Sequence, residues 1–205
     1  MKEMLHALRT LPFVLLLLAA SLASAGAEQN TPRQVLNKAI EALDNNQVHE
    51  ALGAAHMAML MLTQKDKFHL RRNVLIEQKA GGWGVYSKRA TNIYKPGEDI
   101  ILYLEPGAFK YARRKQWFKF GFTVDFRLVQ PDGNIVGGQD NFDKFQFTSL
   151  RPNTEILLNL TLSLSGVPAG KYILKIAVHD MVGKEVATVD VPVEFSARND
   201  GAGTF

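Results

Sequence analysis

The chain has 205 residues, 46% of them hydrophobic, and a formal net charge of +4. That apolar fraction is ordinary for a folded protein and argues against wholesale disorder, while so small a charge is no argument for a polyanionic partner. Cysteine is absent, which excludes disulfides, thiol catalysis, Cys-ligated zinc and Cys-held iron–sulfur clusters and leaves burial as the source of stability.

Residues 1–25 read as a cleaved secretory signal. Lys2 and Arg9 make a short basic start, Leu11–Ala20 is apolar, and Ala23-Ser24-Ala25 has the small-x-small form of a cleavage site. Cleavage after Ala25 and cleavage after Ala27 both fit. The apolar run is shorter than the roughly 20 residues that cross a bilayer. No second such run follows, so no transmembrane anchor is expected after cleavage. The expected location is therefore periplasmic or secreted. The partners that this location offers are an envelope protein or a polysaccharide, and not a nucleic acid.

Residues 31–63 are expected to form a helical hairpin. Thr31-Pro32-Arg33-Gln34 is a helix start: Thr31 caps, Pro32 suits the first position and Gln34 reaches back. Leu36, Ala39, Ile40 and Leu43 recur at helical spacing. Asp44-Asn45-Asn46 then breaks the run. A second stripe holds Val48, Ala51, Leu52, Ala55, Met59 and Leu62. The hairpin resembles one tetratricopeptide unit in Glu50-Ala51-Leu52 and Ala58, without that unit's Trp, Gly and Tyr markers. It is too short to fold unaided, so its stripes must pack on the following domain or meet a partner.

Residues 64–72 form a basic connector, and after them the period changes to two. Asn73–Ala80 is a candidate first strand and Asp99–Glu105 another, with a turn at Lys95-Pro96-Gly97-Glu98. Phe118, Phe120, Phe122, Val124, Phe126 and Leu128 fill every second position, the pattern of a strand with one buried face. After the turn Pro131-Asp132-Gly133-Asn134, the chain returns over Ile135–Thr148. Alternation resumes in Ile156–Leu164, in Tyr172–Val178 and in Ala187–Phe195, where Pro192 suits a sheet edge. Residues 197–205 are a Gly-rich tail expected to fray.

The expected fold class is mainly β: a β-sandwich over residues 73–196, preceded by the hairpin. Val167-Pro168-Ala169-Gly170-Lys171-Tyr172, Leu174–Val178 and the closing strand resemble the end of an immunoglobulin-like domain, as in the Cys-free sandwiches of bacterial secreted proteins. The resemblance implies that Tyr172 bonds back across a corner. It implies no function, because this fold serves many.

Two stretches stand out as binding candidates. In Pro106–Lys119, the basic residues Lys110, Arg113, Arg114, Lys115 and Lys119 are interleaved with Phe109, Tyr111 and Trp117. A long loop of this composition can meet anionic polymers or stack on sugars; otherwise it is a solvated loop with its aromatics tucked into the sandwich rim. In Gly81-Gly82-Trp83-Gly84-Val85-Tyr86, the glycines can present Trp83 and Tyr86 as a platform. The commoner outcome is a bend with Trp83 filling the core.

No catalytic, metal-binding or cofactor-binding set emerges. His49 and His56 lie about 10 Å apart along a helix, too far for one ion. His179 and Asp180 are adjacent in a strand and point to opposite faces, His179 toward solvent. Ser163 and Ser165 have no His or Asp tied to them by a motif, and Asp140 and Asp143 lack calcium-loop spacing. Asn159-Leu160-Thr161 is a formal glycosylation sequon inside a strand and is expected to be bare. The expectation is a non-catalytic binding or adaptor protein, or alternatively a binder of envelope carbohydrate or anionic polymer through the basic–aromatic loop.

Overall fold

The computed structural model of the protein describes residues 30–197. The expected secretory signal (1–25) and all but the first residue of the expected tail lie outside these residues. Two helices come first, α1 (Pro32–Asp44) and α2 (Val48–Thr63). Strands follow: β1 (His69–Leu75), β2 (Ile93–Tyr94), β3 (Ile100–Gly107), β4 (Ala112–Arg114), β5 (Trp117–Val129), β6 (Ile135–Ser149), β7 (Leu158–Leu162), β8 (Gly170–Asp180) and β9 (Val186–Phe195). The chain is mainly β, with two helices ahead of its sheets.

The helix start forms as its residues dictate. Thr31 Oγ1 accepts the Gln34 N–H at 3.2 Å, and Gln34 Oε1 accepts the Thr31 N–H at 2.6 Å. This capping box closes two otherwise unpaired amides. The helices pack along a seam of small residues, where Val35, Ala39, Ala51 and Ala58 are buried. Small side chains at the seam let the helix axes approach closely.

The strands make two sheets around one core. One has the order β1-β3-β7. The other runs β2-β9-β8-β5-β4, with β6 also on β5. All neighbours are antiparallel except β2 and β9, which run parallel over Ile93–Tyr94 and Glu194–Phe195. Leu102 and Leu104 of β3 and Leu158, Leu160 and Leu162 of β7 join the core from one side. Phe120, Phe122, Val124, Phe126, Leu174, Ile176 and Val178 join it from the other. The alternating residues of β5 thus face inward, as their period predicts. Gly133 (φ +92°) takes the left-handed angle in the β5–β6 turn, whose chain reversal is closed by its N–H to the Gln130 carbonyl at 2.9 Å.

Several boundaries differ from the sequence reading. β1 begins at His69, inside the expected connector, and ends at Leu75 rather than Ala80. Its register slips between Leu70 and Arg72, so the period-two signal is broken where the strand starts. β7 covers only Leu158–Leu162 of the expected Ile156–Leu164. The expected loop over 106–119 is largely ordered. β3 runs to Gly107, Phe109 is buried in the core, and Ala112–Trp117 is a tight hairpin with Lys115 in the left-handed region (φ +56°).

Candidate functional site

The basic–aromatic residues do not form one continuous surface. Lys110 is a clamp. Its Nζ donates to the Gln64 carbonyl at 2.9 Å and the Asp66 carbonyl at 3.1 Å. Gln64 is the C-cap of α2, so the ammonium sits at the negative end of that helix, where a cation stabilises it. Gln64 Nε2 donates in turn to the Phe109 carbonyl at 3.1 Å. These bonds tie the helical hairpin to the sheet.

Tyr111 is half-buried. Its ring meets Phe109, Phe118 and Phe120 edge-on, and its hydroxyl donates to the Asn153 carbonyl. Burial pushes its hydroxyl up to about 12, so it stays protonated at neutral pH. Arg113, Arg114, Lys115 and Trp117 are exposed on the β4–β5 hairpin, Trp117 at 39%. The Arg113 guanidinium stands 5.7 Å from the centre of the Phe118 ring.

The glycine-flanked pair lies elsewhere, over the outer face of the β1-β3-β7 sheet. Trp83 does not fill the core, as the commoner reading had it, and is 41% exposed. Tyr103, which lies on β3, already occupies the space beneath. Its hydroxyl donates to Glu105 Oε1 at 2.6 Å and accepts the Gly84 N–H at 2.8 Å, so the loop's backbone is pinned while Trp83 stays outside. Tyr86 packs on the Tyr103 ring at 4.4 Å and accepts a long bond from Arg72 at 3.4 Å.

One polar cluster was not legible in the sequence. His179 Nε2 lies 2.7 Å from Asp125 Oδ2, and Asp125 Oδ1 accepts the Asn141 N–H at 2.7 Å. His179 is therefore paired rather than simply solvated, whereas Asp180 points inward and is buried, as alternation requires. Asn141 (φ +49°) is the tip of a bulge in β6, where the register slips opposite Asp125. Asp125 thus holds β6 and β8 across β5. Among the described residues no hydroxyl bonds to His179, so the pair lacks the contact that activates a nucleophile. Among the described residues, no three His, Asp or Glu side chains gather as a metal site would need.

Burial raises the Asp125 carboxyl, but the Asn141 N–H and the His179 ring together hold it below its ordinary value. A carboxyl held low in the folded state contributes stability above the unfolded value of about 3.9 and loses it as pH falls through the folded value. Asp125→Asn is expected to flatten the fall in stability below about pH 4. Urea unfolding at a series of acid pH values measures this; an unchanged acid limb would contradict it.

An uncovered apolar surface lies on the helical hairpin. Leu36, Ile40, Leu52 and Met59 each follow a seam residue (Val35, Ala39, Ala51, Ala58) by one position. One position is a rotation of about 100°. In an antiparallel pair, equal rotations from the seam bring both stripes to the same face. Leu43, Val48 and Leu62 extend that face, and all seven side chains are exposed, Leu52 at 66%. The stripes expected to need a second surface do not receive one from the sheets.

No protein family matches the sequence, and no curated protein does. Solved structures give distant likenesses. The sporulation control protein Spo0M from Bacillus subtilis is 13% identical with a TM-score of 0.35, over 65% of this chain and 51% of that one. A superoxide reductase (neelaredoxin) from Ignicoccus hospitalis is 11% identical with a TM-score of 0.29, over 53% and 77%. The alkylpurine DNA glycosylase AlkC of Pseudomonas fluorescens, bound to DNA containing an abasic-site analogue, is 12% identical with a TM-score of 0.35, over 81% and 43%. The chain spans about half the length of the sporulation protein.

Proposed function

We propose that this chain is a non-catalytic binding or adaptor protein of the periplasm or the extracellular space, docking a protein partner through the open face of its helical hairpin. The observation that carries this reading is the set of seven exposed aliphatic and methionine side chains on that face. Contiguous apolar patches of this kind on a soluble chain mark interaction sites. Membrane-surface helices, by contrast, carry Lys and Arg along the polar face and aromatic anchors. Neither helix has an aromatic anchor, α2 has no Lys or Arg, and the Arg33 and Lys38 of α1 are offset by Glu41 and Asp44.

The carrier in this reading is an immunoglobulin-like sandwich. The order β1-β3-β7 against β9-β8-β5-β6, with β2 parallel to β9, supports it. So does Tyr172, whose hydroxyl donates to the Pro168 carbonyl at 3.1 Å across the corner. The secretory pattern of residues 1–25 supports the location.

A photo-crosslinking residue at Leu52, in envelopes of the producing cell, tests the docking face. A discrete adduct is expected from position 52 and from position 40, and none from Glu50 on the other side of α2. The same adduct from all three positions, or none at all, overturns the reading. A second reading keeps the exposed Arg113, Arg114, Lys115 and Trp117 as a contact for an anionic envelope polymer. Their joint presentation on one hairpin favours it.

A further inference from the structure

We propose that the cleft between the last turns of α2 and the β4–β5 hairpin binds an amphiphilic anion of the fatty-carboxylate class. Its alkyl chain lies between helix and sheet, and its head group lies on Arg113 and Lys65.

The cleft measures about 510 Å³, within the range of small-molecule sites. The walls differ in kind. On the sheet side, Tyr111 and Phe118 are locked by the edge-on ring packing and the Asn153 bond described above. On the helix side stand Met57, Leu60 and Met61. Methionine is unbranched and polarisable, so this wall can re-form around a flexible chain. Both methionines are on the side of α2 away from Leu52 and Met59, which makes the cleft separate from the open hairpin face.

Charge identifies the head group. Arg113 and Lys65 are the ionised lining residues, and the lining contains no Asp or Glu. Arg113 makes one long hydrogen bond, from Nε to the Lys115 carbonyl at 3.4 Å, which leaves the guanidinium fork open to a carboxylate. A sugar would need several convergent polar groups, and this lining is mostly apolar. An apolar slot with two cations at its rim matches a molecule with an alkyl chain and one negative end.

Isothermal titration calorimetry of the mature chain with decanoate, 1-decanol and acetate tests this. Decanoate is expected to bind saturably at one per chain, and acetate not at all. Arg113→Gln is expected to weaken decanoate about tenfold while leaving decanol unchanged, as loss of a charged hydrogen bond predicts. Leu60→Asn weakens both ligands, and Leu52→Gln neither. Arg113 is exposed, so its variant keeps the fold, and circular dichroism confirms that. The proposal is overturned by any of three results: no saturable decanoate binding, decanoate bound by Arg113→Gln as by the parent chain, or binding lost in Leu52→Gln. The last would place the alkyl chain on the open hairpin face.

Discussion

Replacing Phe122 with alanine is expected to cost about 3–5 kcal/mol, the range for removing a fully buried aromatic ring. The side chain is 0% exposed and sits in the middle of β5. Its ring lies 5.3 Å from Phe109 and 6.0 Å from Phe68, with Phe120 and Phe147 at 6.4 and 6.3 Å. These neighbours come from the connector before β1, the β3–β4 turn, β5 itself and β6. One truncation therefore opens a void bordered by four separate segments, and no single segment can shift to fill it. Against a total stability of about 5–15 kcal/mol, the loss is a large fraction. Urea unfolding measures it, with Phe118→Ala as the comparison. Phe118 is half-buried at the end of the same alternating run and should cost clearly less. Equal losses at the two positions would show that β5 lacks the graded burial described here.

The alternation that marks Phe122 as buried is a local signal, and local signals were the readable ones. Thr31 and Gln34 announced their capping box and Gly133 its turn. Each of these contacts spans no more than about one turn of chain. What could not be read depends on register between distant strands. His179 meets Asp125 across 54 positions, and only the pairing of β5 with β8 brings them together. Lys110 looked like a ligand-binding cation because nothing near it in sequence shows that Gln64 and Asp66 will present carbonyls to it. Phe109 and Tyr111 read as loop aromatics because the left-handed position of the turn falls on Ala108 (φ +58°), one residue after Gly107, and their burial depends on packing against β5. The hairpin's open face lay between these cases. Its stripes were plain in the sequence, but whether the sheets would cover them was a tertiary fact.

Asp180 shows how such a long-range contact supports the junction of sheet and helical hairpin, and its removal is the second large effect expected. The side chain is almost fully buried. One oxygen accepts the Lys110 N–H at 2.9 Å, the other the Val182 N–H at 2.8 Å. The turn after β8 is shaped around this carboxylate: a Cβ on Gly183 would stand 2.4 Å from Asp180 Oδ2, so only glycine leaves room there. Asp180→Ala strands two backbone donors in partly buried positions, where a bond to a charged acceptor is worth about 1.5–3 kcal/mol. A total loss of about 2–4 kcal/mol is expected, since the two bonds share one group and do not add fully. Asp180→Asn should recover less than half of it. Its amide oxygen can take one N–H, while its own NH₂ must face the other donor. The loss should also reach the helices. With its backbone N–H released, Lys110 no longer holds its ammonium on the Gln64 and Asp66 carbonyls, and the clamp on α2 loosens. Hydrogen exchange checks this step. Amides in the last turn of α2 should exchange faster in Asp180→Ala than in a sheet variant of equal overall destabilisation, such as one truncated at Leu174. Equal exchange in the two variants would mean that α2 is held by its own packing. The cleft beside Arg113 would then keep its shape without the Asp180–Lys110 link.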